Sequence, residues 1–262
     1  MPDQTKSDRA EEVPEMIDDP PFAGRVALVT GASGGIGRAI AEALAAEGAA
    51  VGLHYASSPD PARRLAERIV ARGGRAAVFD ADLRDRDAAA ALADRVAAEL
   101  GPIELLVNNA GVGRLLTWEQ TTIEDFDEAY AVNLRAPFLL TQAALPAMVE
   151  RGFGRILFMS SVAGRTGGIV GPHYASAKSG LHGLTHFLAG RLADSGVTVN
   201  ALAPALIADT GMLPGDPEAM RARIPVGRLG TPDEVADLTL AVLRNAYLTN
   251  QVISIDGGMH PG

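Results

Sequence analysis

Arg25-Val26-Ala27-Leu28-Val29-Thr30 runs directly into Gly31-Ala32-Ser33-Gly34-Gly35-Ile36-Gly37, and an alanine-rich stretch follows to Gly48. The first six residues are short, apolar and β-branched toward their end, which reads as a buried strand. Gly35–Gly48 reads as a helix. Glycines between the two have a physical use. They take φ > 0 at a tight turn and let main-chain N–H groups approach a pyrophosphate, and the helix N-terminus adds a favourable partial charge. Gly37 lacks a Cβ, so helix and strand can pack closely. As the first βα turn of a βαβ unit, the loop points to dinucleotide binding.

The same rhythm continues outward. Ala49–His54, Arg75–Asp80, Ile103–Asn108, Arg155–Ser160, Thr198–Ala201 and Val252–Ile255 are short apolar runs of strand character. Pro59–Arg72, Asp85–Leu100, Ile123–Arg151 and Tyr174–Ala193 carry helical patterns, and shorter helices fall near Pro217–Arg223 and Pro232–Leu243. Internal prolines predict kinks in Ile123–Arg151. Alternating strands and helices, with strands too apolar to face water, argue an α/β fold with a parallel sheet covered on both faces. Leu202–Leu229, rich in Pro and Gly, reads as a long flap over one edge.

The chain has 262 residues, 47% hydrophobic and 21% charged, enough for a substantial core and for one α/β domain. A net charge of −9 disfavours a nucleic-acid partner. The absence of cysteine removes disulfides, thiolate metal sites and a cysteine nucleophile. No apolar run approaches the ~20 residues of a membrane span, and the acidic start is unlike a secretory signal. The expectation is a cytoplasmic protein with no membrane and no nucleic-acid partner. Residues 1–21 hold seven acids against Lys6 and Arg9, a net of −5, together with four prolines. They are expected to form a disordered acidic tail, leaving residues 22–262 as the domain. His182 and His186 lie four apart on a helix, but no third ligand follows, and no metal site is expected.

Tyr174 and Lys178 are also four apart on a helix, so they share a face. A nearby ammonium favours the phenolate and lowers the tyrosine pKa, and such a tyrosine can exchange a proton with an alcohol or carbonyl oxygen. Ser161 stands at a strand end, 13 residues before Tyr174, where its hydroxyl can bond the same oxygen.

The loop spacing, G-x-x-x-G-x-G, together with Asp82, Asn108-Asn109-Ala110-Gly111, Asn133, Ser161…Tyr174-x-x-x-Lys178 and the ending Ser254-Ile255-Asp256-Gly257-Gly258, resembles the short-chain dehydrogenase/reductase family over about residues 23–258. Ser161-Val162-Ala163-Gly164 and Pro225–Gly230 are similar to its 3-oxoacyl-[acyl-carrier-protein] reductase-like branch. The resemblance implies a Rossmann-type, doubly wound, seven-stranded parallel sheet and a homotetramer. It makes Tyr174 the general acid/base, with Ser161 steadying the substrate oxygen. Lys178 holds the nicotinamide ribose and Asn133 a relay water. Cofactor contacts are expected from Gly31, Ser33, Gly35, Ile36 and Gly37, and from Asp82 and Leu83 at the adenine. Asn109, Ala110, Gly111, Pro204 and the Ile207 main chain continue the list. Ala205 departs from the usual glycine, and Asp209 stands where a threonine often binds phosphate, so Thr210 is the expected substitute.

At the end of the second strand an acid would select NAD, yet the chain reads His54-Tyr55-Ala56-Ser57-Ser58-Pro59. Ser57 and Ser58 precede a helix, a suitable place for a phosphate, and Arg63 and Arg64 follow. His54, Tyr55, Ser57 and Ser58 therefore join the expected cofactor contacts. NADP(H) is the expected cofactor and NAD(H) the alternative. The reading is NADPH-dependent reduction of a 3-oxoacyl thioester or related ketone, free or carrier-protein-linked. Met212, Leu213, Met220 and Ile224 of the flap are expected to close an apolar pocket. The competing readings are an NAD(P)-dependent secondary-alcohol or sugar-alcohol dehydrogenase and a non-catalytic cofactor-binding regulator.

Overall fold

Strand β1 (Val26–Val29) is buried at all four residues and sends alternate side chains into two different cores. Ala27 and Val29 join one, Val26 and Leu28 the other, as the period of two requires. In the computed structural model, which describes residues 20–211 and 217–260, seven strands form one parallel sheet. The others are β2 (Ala50–Tyr55), β3 (Arg75–Asp80), β4 (Leu105–Asn108), β5 (Gly154–Met159), β6 (Val197–Pro204) and β7 (Val252–Ile255), in the order β3-β2-β1-β4-β5-β6-β7. Helices α1 (Gly35–Ala46) and α2 (Pro59–Ala71) pack on one face. On the other lie α3 (Arg86–Leu100), with α4 (Ile123–Tyr130) leading into α5 (Ala136–Glu150). The Rossmann-type expectation is met.

Three local features differ from the sequence reading. The irregularity in Ile123–Arg151 is a π-helical segment, Ala131–Arg135, in which the Ala136 N–H bonds the Ala131 carbonyl five residues back. Pro137 lacks the N–H that an α-helix would aim at the Asn133 carbonyl, which accounts for the break there. Pro146 lies inside α5 without ending it. A short helix, α6 (Ala163–Thr166), precedes α7 (Pro172–Leu192), which starts two residues before Tyr174. Beyond the flap helix α8 (Pro217–Arg221), α9 (Pro232–Arg244) joins the α1 face. Most of the expected tail, residues 1–19, and Met212 and Leu213 of the flap lie outside the described residues. Phe22 is already buried in the first core.

His54, expected beside a cofactor, has a different task. It is 1% exposed on β2. Nδ1 accepts the Gly31 N–H at 3.1 Å, and Nε2, 3.0 Å from the Ala81 carbonyl, carries the proton and donates it. The His54 carbonyl accepts from Ala32 N at 2.8 Å. Both ring nitrogens are thus committed to holding the glycine loop against the end of β3.

Burial keeps the pKa of His54 below the ordinary 6.5, and does the same for His173 and His182. Unfolded, these imidazoles take up protons near pH 6.5; folded, they do so only at lower pH. Their contribution to stability is therefore whole above about pH 6.5 and is lost as pH falls toward the folded value. His54→Gln should flatten the fall in urea midpoint between pH 7 and 5 relative to wild type. Parallel profiles would contradict the buried neutral imidazole.

Candidate active site

The sheet order reverses between β1 and β4, and this is where the cleft opens. Two side chains join the loops that leave those strands. The Thr30 hydroxyl accepts from Asn109 N at 3.0 Å and Ala110 N at 2.9 Å. The Asn109 amide donates to the Thr30 carbonyl at 2.9 Å and the Gly31 carbonyl at 3.3 Å. Gly31 has φ +67°, which only glycine adopts without strain. A Cβ at Gly37 would lie 2.2 Å from the Gly31 oxygen, so the close approach expected there is real.

Beside this loop lies a cleft of about 600 Å³. Of the residues singled out in the sequence, Gly31, Ser33, Gly35, Ile36, Gly37, Asn109, Ala110, Gly111, Ser161, Tyr174, Lys178, Pro204, Ile207 and Thr210 line it. Tyr174 is 8% exposed, and the Ser161 hydroxyl is near enough to draw its pKa down. Lys178, on the next turn of α7, is 3% exposed and donates from Nζ to the Met159 carbonyl at 2.6 Å. Nζ lies 5.7 Å from the Tyr174 ring centroid. Burial lowers the Lys178 pKa to about 8. It also pushes the Tyr174 hydroxyl up, against the pull of the Ser161 hydrogen bond. The expected lowering by Lys178 is not found: burial raises the phenol, and Ser161 is the group that opposes it. The group is thereby kept protonated, as a proton donor must be.

Ser160 points elsewhere than Ser161. Its Oγ donates to the Lys178 carbonyl at 3.0 Å and sits 2.7 Å from His182 Nε2, so it anchors α7. The other histidine of the pair, His186, meets Asn250 Oδ1 at 2.7 Å. Asn133, inside the π-helical segment, exchanges two bonds with the Val112 main chain, at 2.9 and 2.8 Å. It thereby fixes the β4 loop next to Lys178: a Cβ on Gly111 would be 3.0 Å from Asn133 Oδ1 and 3.2 Å from Lys178 Nζ.

Other expected contacts lie outside the cleft lining. Tyr55 ends β2, and Ser57 and Ser58 are exposed just beyond it, with Ser58 the N-cap of α2. The Asp82 carboxylate is taken up by Arg84 at 2.8 Å, which holds its pKa below the usual carboxylate value. Leu83 is buried in the second core. The reading missed Arg223, Met259 and His260, which line the mouth of the cleft. Their signal is tertiary: Val226 N donates to the Gly257 carbonyl at 3.2 Å, bringing the flap to the chain's last loop.

The cleft suits a dinucleotide. Helices α2, α3, α4 and α9 each carry an acid in the first turn, whereas α1 and α7, which both line the cleft, carry none and have no side-chain cap. The first N–H groups of α1, which follow the glycine loop, are left for an anion. Among the described lining residues there is no aspartate or glutamate.

A model of the short chain dehydrogenase family matches residues 25–220. The 3-oxoacyl-[acyl-carrier-protein] reductase of Synechocystis is 39% identical over 242 residues, covering 91% of this chain and 98% of that protein. Nodulation protein G of Azospirillum brasilense is 38% identical over 242 residues, covering 90% and 98%. Among solved structures, a Serratia marcescens short-chain dehydrogenase/reductase mutant superposes with a TM-score of 0.85 at 36% identity, covering 91% of this chain and 99% of that one. A blue fluorescent protein from a metagenomic library, in complex with NADPH, gives 0.86 at 33% identity, covering 92% and 100%. The order of the sheet, the glycine loop at its switch point, the family model and the relatives matched along nine-tenths of the chain agree, and the chain belongs to the short-chain dehydrogenase/reductase family of oxidoreductases.

Proposed function

We propose that this chain uses NADPH to reduce a carbonyl group to a secondary alcohol, on a 3-oxoacyl thioester or related ketone, free or carrier-linked. One observation carries the reading: Ser161, Tyr174 and Lys178 share a cleft with an acid-free glycine loop. When bound, the nicotinamide supplies a hydride to the carbonyl carbon. The chain's own residues do the rest. Ser161 and Tyr174 both bond the substrate oxygen, and the Tyr174 hydroxyl delivers its proton as charge develops there. Lys178, held by the Met159 carbonyl, places an ammonium near the phenol and the expected ribose. Asn133 keeps the β4 loop in register with Lys178.

Tyr174→Phe removes the proton donor and keeps the ring. Turnover should fall by roughly 10²–10⁴-fold, with NADPH affinity by fluorescence titration changed little. Full activity in that variant would sink the assignment.

The choice of NADPH rests on the end of β2, where no carboxylate stands before Asp60. Ser57, Ser58 and the exposed Arg63 and Arg64 are the groups suited to a 2′-phosphate. Initial rates should favour NADPH over NADH by about tenfold or more, the value of roughly one charge-assisted contact. A preference for NADH would reverse the choice.

A homotetramer belongs to the same reading. Ile123, Phe138 and Val149, on α4 and α5, are 66%, 45% and 42% exposed, apolar surface that a second copy would cover. Light scattering should give about four times the 27.2 kDa chain mass; a monomer would contradict it.

A further inference from the structure

The protein carries 32 acidic against 23 basic residues, yet the described lining of the cleft contains no acid. Its cationic or potentially cationic side chains are Lys178, Arg223 and His260. Lys178 belongs to the proton-transfer group. The other two have no part in that chemistry or in the glycine loop.

Arg223 follows α8 on the flap. Its arginine neighbours are engaged: Arg221 meets Glu218 at 2.5 Å, and Arg228 meets Glu234 at 2.6 Å. Arg223 makes no ion pair among the described residues and is exposed, with its guanidinium fork free. His260 is fixed by Asp256, which is 9% exposed. Asp256 Oδ2 accepts from His260 N at 3.0 Å and from Nδ1 at 3.2 Å, while Oδ1 accepts from Gly258 N at 3.0 Å. With Nδ1 donating to the Asp256 carboxylate, Nε2 is the open ring nitrogen, and in the imidazolium form its N–H is a donor for an oxyanion. The two segments are packed together. Val226 N bonds the Gly257 carbonyl, and a Cβ on Gly257 would lie 2.6 Å from Ile224 Cγ2. An unpaired guanidinium and an oriented imidazole therefore share one wall of the mouth, with apolar Met220 and Met259 beside them.

We propose that the ketone reduced here carries an oxyanion, and that Arg223 and His260 are the residues that read it. This rests on the carbonyl-reduction reading above. A guanidinium binds carboxylate or phosphate through two parallel N–H···O bonds, so either anion satisfies the site. The anion has two sources, a carboxylate on the substrate itself or the phosphate of a pantetheine arm.

The test compares matched pairs with NADPH: 4-oxopentanoate, 5-oxohexanoate and 6-oxoheptanoate against their methyl esters, and acetoacetyl-CoA against the acetoacetyl N-acetylcysteamine thioester. The anionic member should have the higher kcat/KM by roughly tenfold or more, mainly through KM. Preference within the oxo acids assigns a substrate carboxylate; preference confined to the CoA pair assigns the arm phosphate. Arg223→Gln should bring the ratio near one, Arg223→Lys should retain part of it, and His260→Gln should lower it. Equal kcat/KM within every pair, or an undiminished ratio in Arg223→Gln, overturns the proposal and leaves the reductase reading standing. If no pair turns over, titration calorimetry on the NADPH-loaded protein decides. Tighter binding of the anionic member that Arg223→Gln removes keeps the anion site and rejects the reductase reading; equal binding rejects the anion site.

Discussion

The cleft depends on a clamp between two loops that the sheet itself does not join. Strands β1 and β4 pair through Val29 and Val107, and beyond them their chains diverge to opposite faces. Such a fork leaves main-chain groups without ladder partners. Thr30 and Asn109 satisfy them: the hydroxyl takes two N–H groups of the β4 loop, and the amide bonds two carbonyls of the β1 loop. His54 completes the arrangement from the other side by accepting the Gly31 N–H. The glycine loop is thus held by three side chains from three strand ends, and α1 begins beside the cleft with no acidic cap.

The second constraint is the burial of Lys178. A fully desolvated ammonium is costly unless it is bonded, and here the Met159 carbonyl at the end of β5 provides the bond. That carbonyl immediately precedes Ser160 and Ser161, so one turn of chain fixes both the lysine and the serine. Ser160 then ties back to the Lys178 carbonyl, with His182 behind it. The spacing of Tyr174 and Lys178 on α7 is therefore locked to the β5 end at two points, and Ser161 meets Tyr174 as a consequence.

The parts legible in the sequence are those governed by local pattern. Strand burial, the glycine turn and the i,i+4 pair on α7 follow from periodicity and from glycine's conformational freedom. What escaped depends on register or on distant segments. His54 reads like a ligand at a strand end; only the pairing of β2 with β3 shows that its ring lies between Gly31 and Ala81. Asp82 has its partner two residues away in Arg84, yet a sequence does not say whether such neighbours fold back on each other. Prolines marked the right helix for a kink, while the break fell at Asn133, where Pro137 withholds a donor. Ala163–Thr166 is a single turn, too short for any period to register.

Charge is the property that the structure redistributes most. A net of −9 suggests a surface that repels anions. On the described residues the acids are spent elsewhere: at the starts of α2, α3, α4 and α9, and in ion pairs such as Arg68–Glu42, Arg84–Asp82 and Arg244–Glu47. Asp85, Asp125 and Glu234 take part in helix caps and the paired acids neutralise arginines, while Asp256 holds His260 at the cleft. The cleft is lined by the uncapped start of α1 and by Arg223, which makes no ion pair among the described residues. Because exposed charges more than about 8–10 Å apart are largely screened in physiological salt, this local arrangement outweighs the overall negative sign for anything that enters. An acidic protein can therefore line a cleft without carboxylates, and its net charge does not describe the surface a ligand meets there.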